Sequence, residues 1–204
     1  MDFRDALRRR RMVRQYADRP LSEGVVDQIA HAAFRAPSAG FTQAISLLIC
    51  QSAADRDAFW SAAAPDGAAP DGVGSWLRGM RTAPALLIVW TSQQDYLDRY
   101  AEPDKGWTDR DPARWSAPYW WVDAGMASML TLLAVVDAGL GAAFFGIPTD
   151  RIPAVRNTFG VPDEQLSVGV ISIGYPHLED RPSGSPTRRP RKAYSDLIHH
   201  GRWG

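Results

Sequence analysis

Leu132-Leu133-Ala134-Val135-Val136-Asp137-Ala138-Gly139-Leu140-Gly141-Ala142-Ala143-Phe144-Phe145 is the stretch that decides the fold. Its first half closes an apolar helix, its glycines turn the chain, and its last four residues read as a strand. The whole apolar run, Ala124 to Phe145, is long enough to suggest a membrane span. Asp137 and the glycines interrupt it, so it reads instead as a buried helix followed by a strand. The helix is expected from Pro118, well suited to a first turn, to Ala138. It is apolar nearly all round, through Val122, Met126, Met129, Leu130, Leu133, Ala134 and Val136. Such a helix belongs at the centre of a core or at an oligomer interface. Gly139-Leu140-Gly141 ends it in the way glycine usually ends helices.

Downstream, Gly146-Ile147-Pro148 leads to Thr149, an expected N-cap for a helix to about Phe159 that Gly160 closes. Leu166 to Ile173 reads as the last core strand, followed by Gly174-Tyr175-Pro176 and a polar, proline-rich end holding Arg188, Arg189, Arg191 and Lys192. Upstream, Asp2 to Arg11 reads as a helix, and Ser22 as the N-cap of a second one running to about Arg35. Ala36 to Gln43 is a loop shaped by Pro37 and Gly40. Ile45 to Cys50 and Ala85 to Trp90 are short apolar runs, read as buried strands. Between them lie an amphipathic helix over Ala53 to Ala64, a surface loop over Pro65 to Gly74, and a helical turn over Ser75 to Arg81. Ser92 to Ala117 is irregular and polar, yet carries Trp107 and Trp115; long loops of this kind are often lids.

Helices dominate, the strands are short and hairpin signals are absent, which implies an α+β or α/β class with a central sheet covered by helices. No repeat or composition break divides the chain, so residues 1–204 read as one domain with a candidate lid at about 92–121. Net charge is zero, so the arginine runs are local sites and not a footprint for nucleic acid. The lone Cys50 allows no internal disulfide, which fits a reducing compartment, and it sits in an apolar run as a small buried hydrophobe would. No apolar leader follows the charged N-terminus. The expected location is cytoplasmic, with no membrane partner.

The other stretch that stands out is Arg8-Arg9-Arg10-Arg11-Met12-Val13-Arg14-Gln15-Tyr16. Cations favour a helix C-terminus, which accounts for two or three of these arginines. It leaves Arg14 unexplained. Guanidinium groups four apart, such as Arg10 and Arg14, can grip one phosphate through fixed forks of donors. Other catalytic patterns are missing. There is no G-x-G-x-x-G after a strand, no Walker loop and no G-x-S-x-G elbow, and His31, His177, His199 and His200 lack metal-like spacing. A chain without an evident acid, base, nucleophile or metal can still run redox chemistry if a cofactor carries it.

Five stretches together resemble the flavin-dependent nitroreductase family. Arg10-Arg11-Met12-Val13-Arg14-Gln15-Tyr16 is similar to its opening arginine motif. Ala36-Pro37-Ser38-Ala39-Gly40-Phe41-Thr42-Gln43 is similar to its A-P-S-A-x-N-x-Q loop, Gly139 to Gly146 to its G-L-G strand, Ile171 to Pro176 to its A-L-G-Y-P, and Arg188-Arg189-Pro190 to its closing basic motif. The matches keep the family's order across nearly the whole chain. The resemblance implies an α+β three-layer fold with a mostly antiparallel central sheet, an intertwined homodimer, and FMN at the dimer interface with NAD(P)H as reductant. Carried over, Arg10, Arg11 and Arg14 would hold the phosphate, ribityl chain and pyrimidine edge of FMN. Met12 would touch the flavin where the family has serine, and Pro37, Ser38, Ala39 and Phe41 would come from the other subunit. Phe145 and Gly146 would stand at the ring, with the Gly146 N–H approaching flavin N5. Arg188 and Arg189 would complete the phosphate clamp, and Arg78 or Arg81 would reach the flavin O2 edge. Trp107, Trp115, Trp120 and Trp121 would form an aromatic lid or pack at the dimer interface. The implied substrate is a flat small-molecule electrophile, a nitroaromatic or quinone. Met12 and Phe41 depart from the family's serine and asparagine and leave a more apolar pocket. That keeps open a deazaflavin-using, flavin-sequestering or flavin-consuming relative.

Overall fold

The computed structural model describes residues 1–64, 74–182 and 185–203. The surface loop expected over Pro65 to Gly74 lies outside them apart from Gly74. Four strands form one sheet: β1 (Ile45–Cys50), β2 (Ala85–Ser92), β3 (Gly141–Phe145) and β4 (Gln165–Gly174), in the order β1-β2-β4-β3. Every neighbouring pair is antiparallel. This decides for α+β. Hairpin signals are missing from the sequence because helices, not tight turns, join successive strands.

The strands read as unbroken apolar runs because helices cover both faces of the sheet. On β2, Leu86, Ile88 and Trp90 face one cluster with Phe59, Trp60, Met80 and Val155, under α3 (Ala53–Ala63), α4 (Gly74–Arg81) and α7 (Ile152–Phe159). Ala85, Leu87 and Val89 face the other, with Val26, Ile29, Leu132 and Val135 from α2 (Val25–Ala33) and α6 (Tyr119–Asp137). The layers are therefore helix, sheet, helix. Cys50 lies buried at the end of β1, and burial pushes its thiol up to about 12. That is the inert packing role expected for it. Helix α6 passes the length and composition test for a membrane span. It lies against the sheet instead, and it buries Asp123, Ser128 and Thr131 as well as apolar groups.

Three expectations about helix starts are corrected. Ser22 does not cap α2. Gly24, at φ +72°, takes the N-cap position, and the Ser22 carbonyl merely accepts from the Val25 N–H at 3.3 Å. Glycine reaches that backbone region without strain, so the helix begins two residues later than the serine suggests. Thr149 opens a single 3-10 turn, Thr149–Arg151, and α7 starts only at Ile152 with Pro153 in its first turn. The segment expected to be irregular from Ser92 contains a helix, α5 (Gln93–Ala101), capped by the Ser92 hydroxyl accepting from the Asp95 N–H at 3.1 Å. Among its residues only Tyr96 is buried, too little to leave an apolar periodicity. At the chain ends, α1 (Phe3–Arg9) is capped by Asp2, and α8 (Ser185–Arg188) is a single short turn.

Candidate functional site

After α1 the chain extends and lies beside the edge strand β3. Met12 bridges Ala142 in parallel, the Val13 N–H donates to the Ala142 carbonyl at 2.8 Å, and the Phe144 N–H donates to Met12 Sδ at 3.4 Å. Four residues on, Tyr16 bridges Pro176, the Ala17 N–H donates to the Tyr175 carbonyl at 2.8 Å, and the His177 N–H donates to the Gln15 carbonyl at 3.0 Å. Stretches distant in sequence, 10–16, 139–146 and 171–176, thus form one continuous strip. Tyr16 fastens it. Its ring is buried, and its hydroxyl lies 2.8 Å from the Val13 carbonyl and 2.6 Å from Ser172 Oγ. Burial pushes the phenol well above its usual range, so it stays a neutral hydrogen-bonding group.

With Val13 and Tyr16 turned inward, the arginines take different fates. The Arg10 N–H closes α1 on the Ala6 carbonyl. Arg11 pairs with Asp180, whose side chain is only 4% exposed. The same carboxylate accepts from the Arg14 N–H at 2.9 Å and the Gln15 N–H at 3.1 Å. Sequence reasoning missed Asp180, because an acid in a polar tail carries no local sign of a partner 166 positions away. Arg14 lines a cavity of about 600 Å³ together with Gln15, Trp76, Arg78, Gly79 and Arg181. Of the two arginines of α4, Arg78 faces this cavity, while the Arg81 guanidinium donates to the Ala64 carbonyl at 2.6 Å.

Gly79 is what lets α4 approach so closely. A Cβ there would sit 2.2 Å from the Arg14 carbonyl oxygen, a backbone atom that cannot rotate away. Gly79→Ala should therefore destabilise the fold by about 1–3 kcal/mol, the usual cost of overpacking. Urea unfolding would measure it, and an unchanged midpoint would contradict the packing described.

Phe145 is held among rings: it stacks on Trp60 with centroids 5.8 Å apart and meets Trp76 edge-on at 5.6 Å. Beyond it Gly146 is exposed, with no atom within 4 Å of where a Cβ would stand. Arg188 ends α8, the Arg189 N–H donates to the Ser185 carbonyl at 2.9 Å, and both are exposed away from the lining of the Arg14 cavity.

The loop over 36–43 is held by other elements. The Ala39 N–H donates to Asp123 Oδ2 at 2.7 Å, and the Tyr96 hydroxyl donates to the same oxygen at 2.6 Å. The Arg99 Nε–H donates to the Gly40 carbonyl at 2.8 Å, and the Gln43 N–H to Ser38 Oγ at 3.1 Å. Gly40, at φ +63°, lies so close to Tyr100 that a Cβ would stand 2.6 Å from its ring. Pro37, Ser38 and Asp123 line a small cleft, and Phe41 projects from the loop with 74% of its surface exposed. Asp123 was also missed; one acid in an apolar helix offers no sign of what it holds.

Trp115 and Trp120 share a cluster with Ala39 of this loop and with Ala44. Trp107 and Trp115 pack on Tyr100 at 5.0 and 4.3 Å, and Trp115 also meets Tyr119 at 5.5 Å. Trp120 is buried beside Tyr96, while Trp121 is 40% exposed. Among the described residues no group of three His, Cys, Asp or Glu could hold a metal ion.

The lining holds three arginines, Arg14, Arg78 and Arg181, against Glu179 and an Asp180 already paired with Arg11, a balance that suits an anionic, flat organic cofactor. Arg14 and Arg78 offer fixed forks to a phosphate or to ring carbonyls, and Trp76 supplies an aromatic wall.

Comparison with known proteins gives these motifs a context. The model described as "Nitroreductase family" matches residues 7–175. A protein of Methanothermobacter thermautotrophicus, provisionally named an NADH dehydrogenase/NAD(P)H nitroreductase, is 28% identical over 178 residues, covering 86% of this chain and 78% of its own. The NADH dehydrogenase of Thermus thermophilus is 25% identical over 200 residues, covering 90% and 91%. In fold, the chain resembles the nitroreductase CinD of Lactococcus lactis, solved with chloramphenicol, at a TM-score of 0.76 and 20% identity over 98% of this chain and 100% of that one. It also resembles a nitroreductase-like protein of Exiguobacterium sibiricum solved with FMN, at a TM-score of 0.75 and 20% identity over 98% and 97%.

Proposed function

Because the chain belongs to the nitroreductase family, matched over residues 7–175, we propose that it is an FMN-dependent oxidoreductase that uses NAD(P)H to reduce a flat electrophile, a quinone or nitroaromatic. The observation that carries this reading is the strip built by Met12 and Ala142. It brings the arginine segment alongside β3, which ends at Phe145 just before Gly146, next to a cavity walled by Arg14, Arg78 and Trp76. Arg14 would hold the phosphate or pyrimidine edge with Arg78 near the ring carbonyls, and the N–H of Gly146, an exposed residue, would meet the ring. Relatives named NAD(P)H nitroreductase and NADPH-dependent oxidoreductase, and a similar fold solved with FMN, support the cofactor and the reductant.

The chemistry FMN supplies when bound is two-electron hydride carriage between a nicotinamide and an electrophile. This chain's part is to bind, orient and tune. Cations beside the pyrimidine edge stabilise the negative charge of the reduced ring and raise its potential. Met12 cannot replace the hydroxyl of the family's serine, since a thioether has no hydrogen to donate and its sulfur accepts from the Phe144 N–H.

We place the working unit as a homodimer. The loop over 36–43 is held by Asp123, Arg99 and Tyr100, and not by the strip, so a second copy would bring it to the ring. Exposed Phe3, Leu7, Val122 and Met129 supply apolar surface for that contact.

The decisive experiment is an absorption spectrum of the purified protein before and after anaerobic NADPH. A two-banded flavin envelope that NADPH bleaches and a quinone restores is the expected result. Flavin that NADPH does not bleach would mean sequestration. A single deazaflavin-type band, or no chromophore after adding FMN, would mean that Met12 and Phe41 have changed the cofactor.

A further inference from the structure

Phe41 occupies an expensive position. Its φ is +56°, in the left-handed region that glycine and asparagine visit readily and bulky side chains avoid. Gln43, at φ +58°, shares this conformation. Neither residue escapes it, because the backbone around them is fixed from several sides: Ala39 by Asp123, Gly40 by Arg99 and by the Tyr100 ring, and Gln43 by Ser38. Behind Tyr100, Trp107 and Trp115 leave the platform little room to yield. The chain thus holds a bulky ring in a strained backbone, and it exposes that ring where burial cannot repay the strain. Strain that the surroundings impose so firmly points to use.

We propose that Phe41 is a specificity-determining residue that lies face-on against the electrophile and selects planar, apolar, multi-ring acceptors over compact or strongly hydrated ones. This rests on the proposed function above, with the loop of one copy completing the flavin site of the other. A rigid aromatic on a prearranged backbone gains stacking and apolar contact with a flat ring at little ordering cost. It offers no hydrogen bond, so polar substituents earn nothing there. Asp123 and Arg99 act as positioning residues for this loop.

The test uses the FMN-loaded protein with NADPH and two acceptors, the two-ring quinone menadione and ferricyanide, an octahedral anion that cannot stack. For Phe41→Asn, the ratio of kcat/KM for menadione to that for ferricyanide should fall about three- to ten-fold, mainly through the menadione KM. Phe41→Trp should keep the ratio close to that of the parent. The melting temperature of Phe41→Asn should hold or rise, since asparagine suits a left-handed backbone. An unchanged ratio in Phe41→Asn would overturn the assignment, and so would a lowered melting temperature, which would make Phe41 a folding residue. Parent protein that turns over neither acceptor would overturn the proposed function itself, and the role of Phe41 with it.

Discussion

On the proposed FMN reading, replacing Arg14 by alanine should weaken the hold on the flavin. We expect the affinity for FMN to fall about 10- to 100-fold, the effect of losing a hydrogen bond to a charged group. Arg14 is the arginine of the 8–14 run whose backbone Asp180 anchors and whose side chain lines the cavity. Among the described residues its guanidinium donates to the Met12 carbonyl at 3.4 Å, a long contact, and the side chain lines the cavity. Arg11 makes the informative contrast: it shares the run, yet it is paired with Asp180. Arg11→Ala should therefore lower stability more than FMN affinity. Fluorescence titration of the apoprotein with FMN separates the two. Equal affinity in Arg14→Ala and the parent would move the phosphate to another set of donors, of which Arg10, Arg188 and Arg189 are the first to try.

Asp180→Ala should cost the fold about 2–4 kcal/mol. One carboxylate, nearly buried, serves three donors: the Arg11 guanidinium and the N–H groups of Arg14 and Gln15. Removing it leaves two part-buried N–H groups and a half-buried cation without their acceptor. The expected drop in melting temperature is about 5–15 °C for a chain of this length. Asp180→Asn should lose less, because an amide oxygen can still accept from both backbone donors. On the proposed reading Asp180→Ala should also loosen FMN, since Asp180 sets the backbone that carries Arg14. A melting temperature within a degree of the parent would show that the tail does not anchor the arginine segment.

Much of this fold is legible in local pattern. Apolar runs mark all four strands because helices cover both faces of the sheet, and the turn at Gly139 separates α6 from β3 as expected. The arginine segment could be singled out because a cap explains only some of its charges. The start of α5 was not legible, since one buried tyrosine makes no periodic stripe. The start of α2 was misplaced because a serine that looks like a cap lost to the glycine two residues later.

By itself, then, the sequence determined the kind of each main element and the family the motifs resemble, and it singled out the arginine segment as a candidate for binding. Only the tertiary structure decided the strand order, which arginine faces the cavity and which is neutralised, and what holds the Phe41 loop. The physical reason is separation along the chain. Asp180 meets Arg14 across 166 positions and Asp123 meets Ala39 across 84, so the acids that position the candidate site leave no mark on the residues beside them.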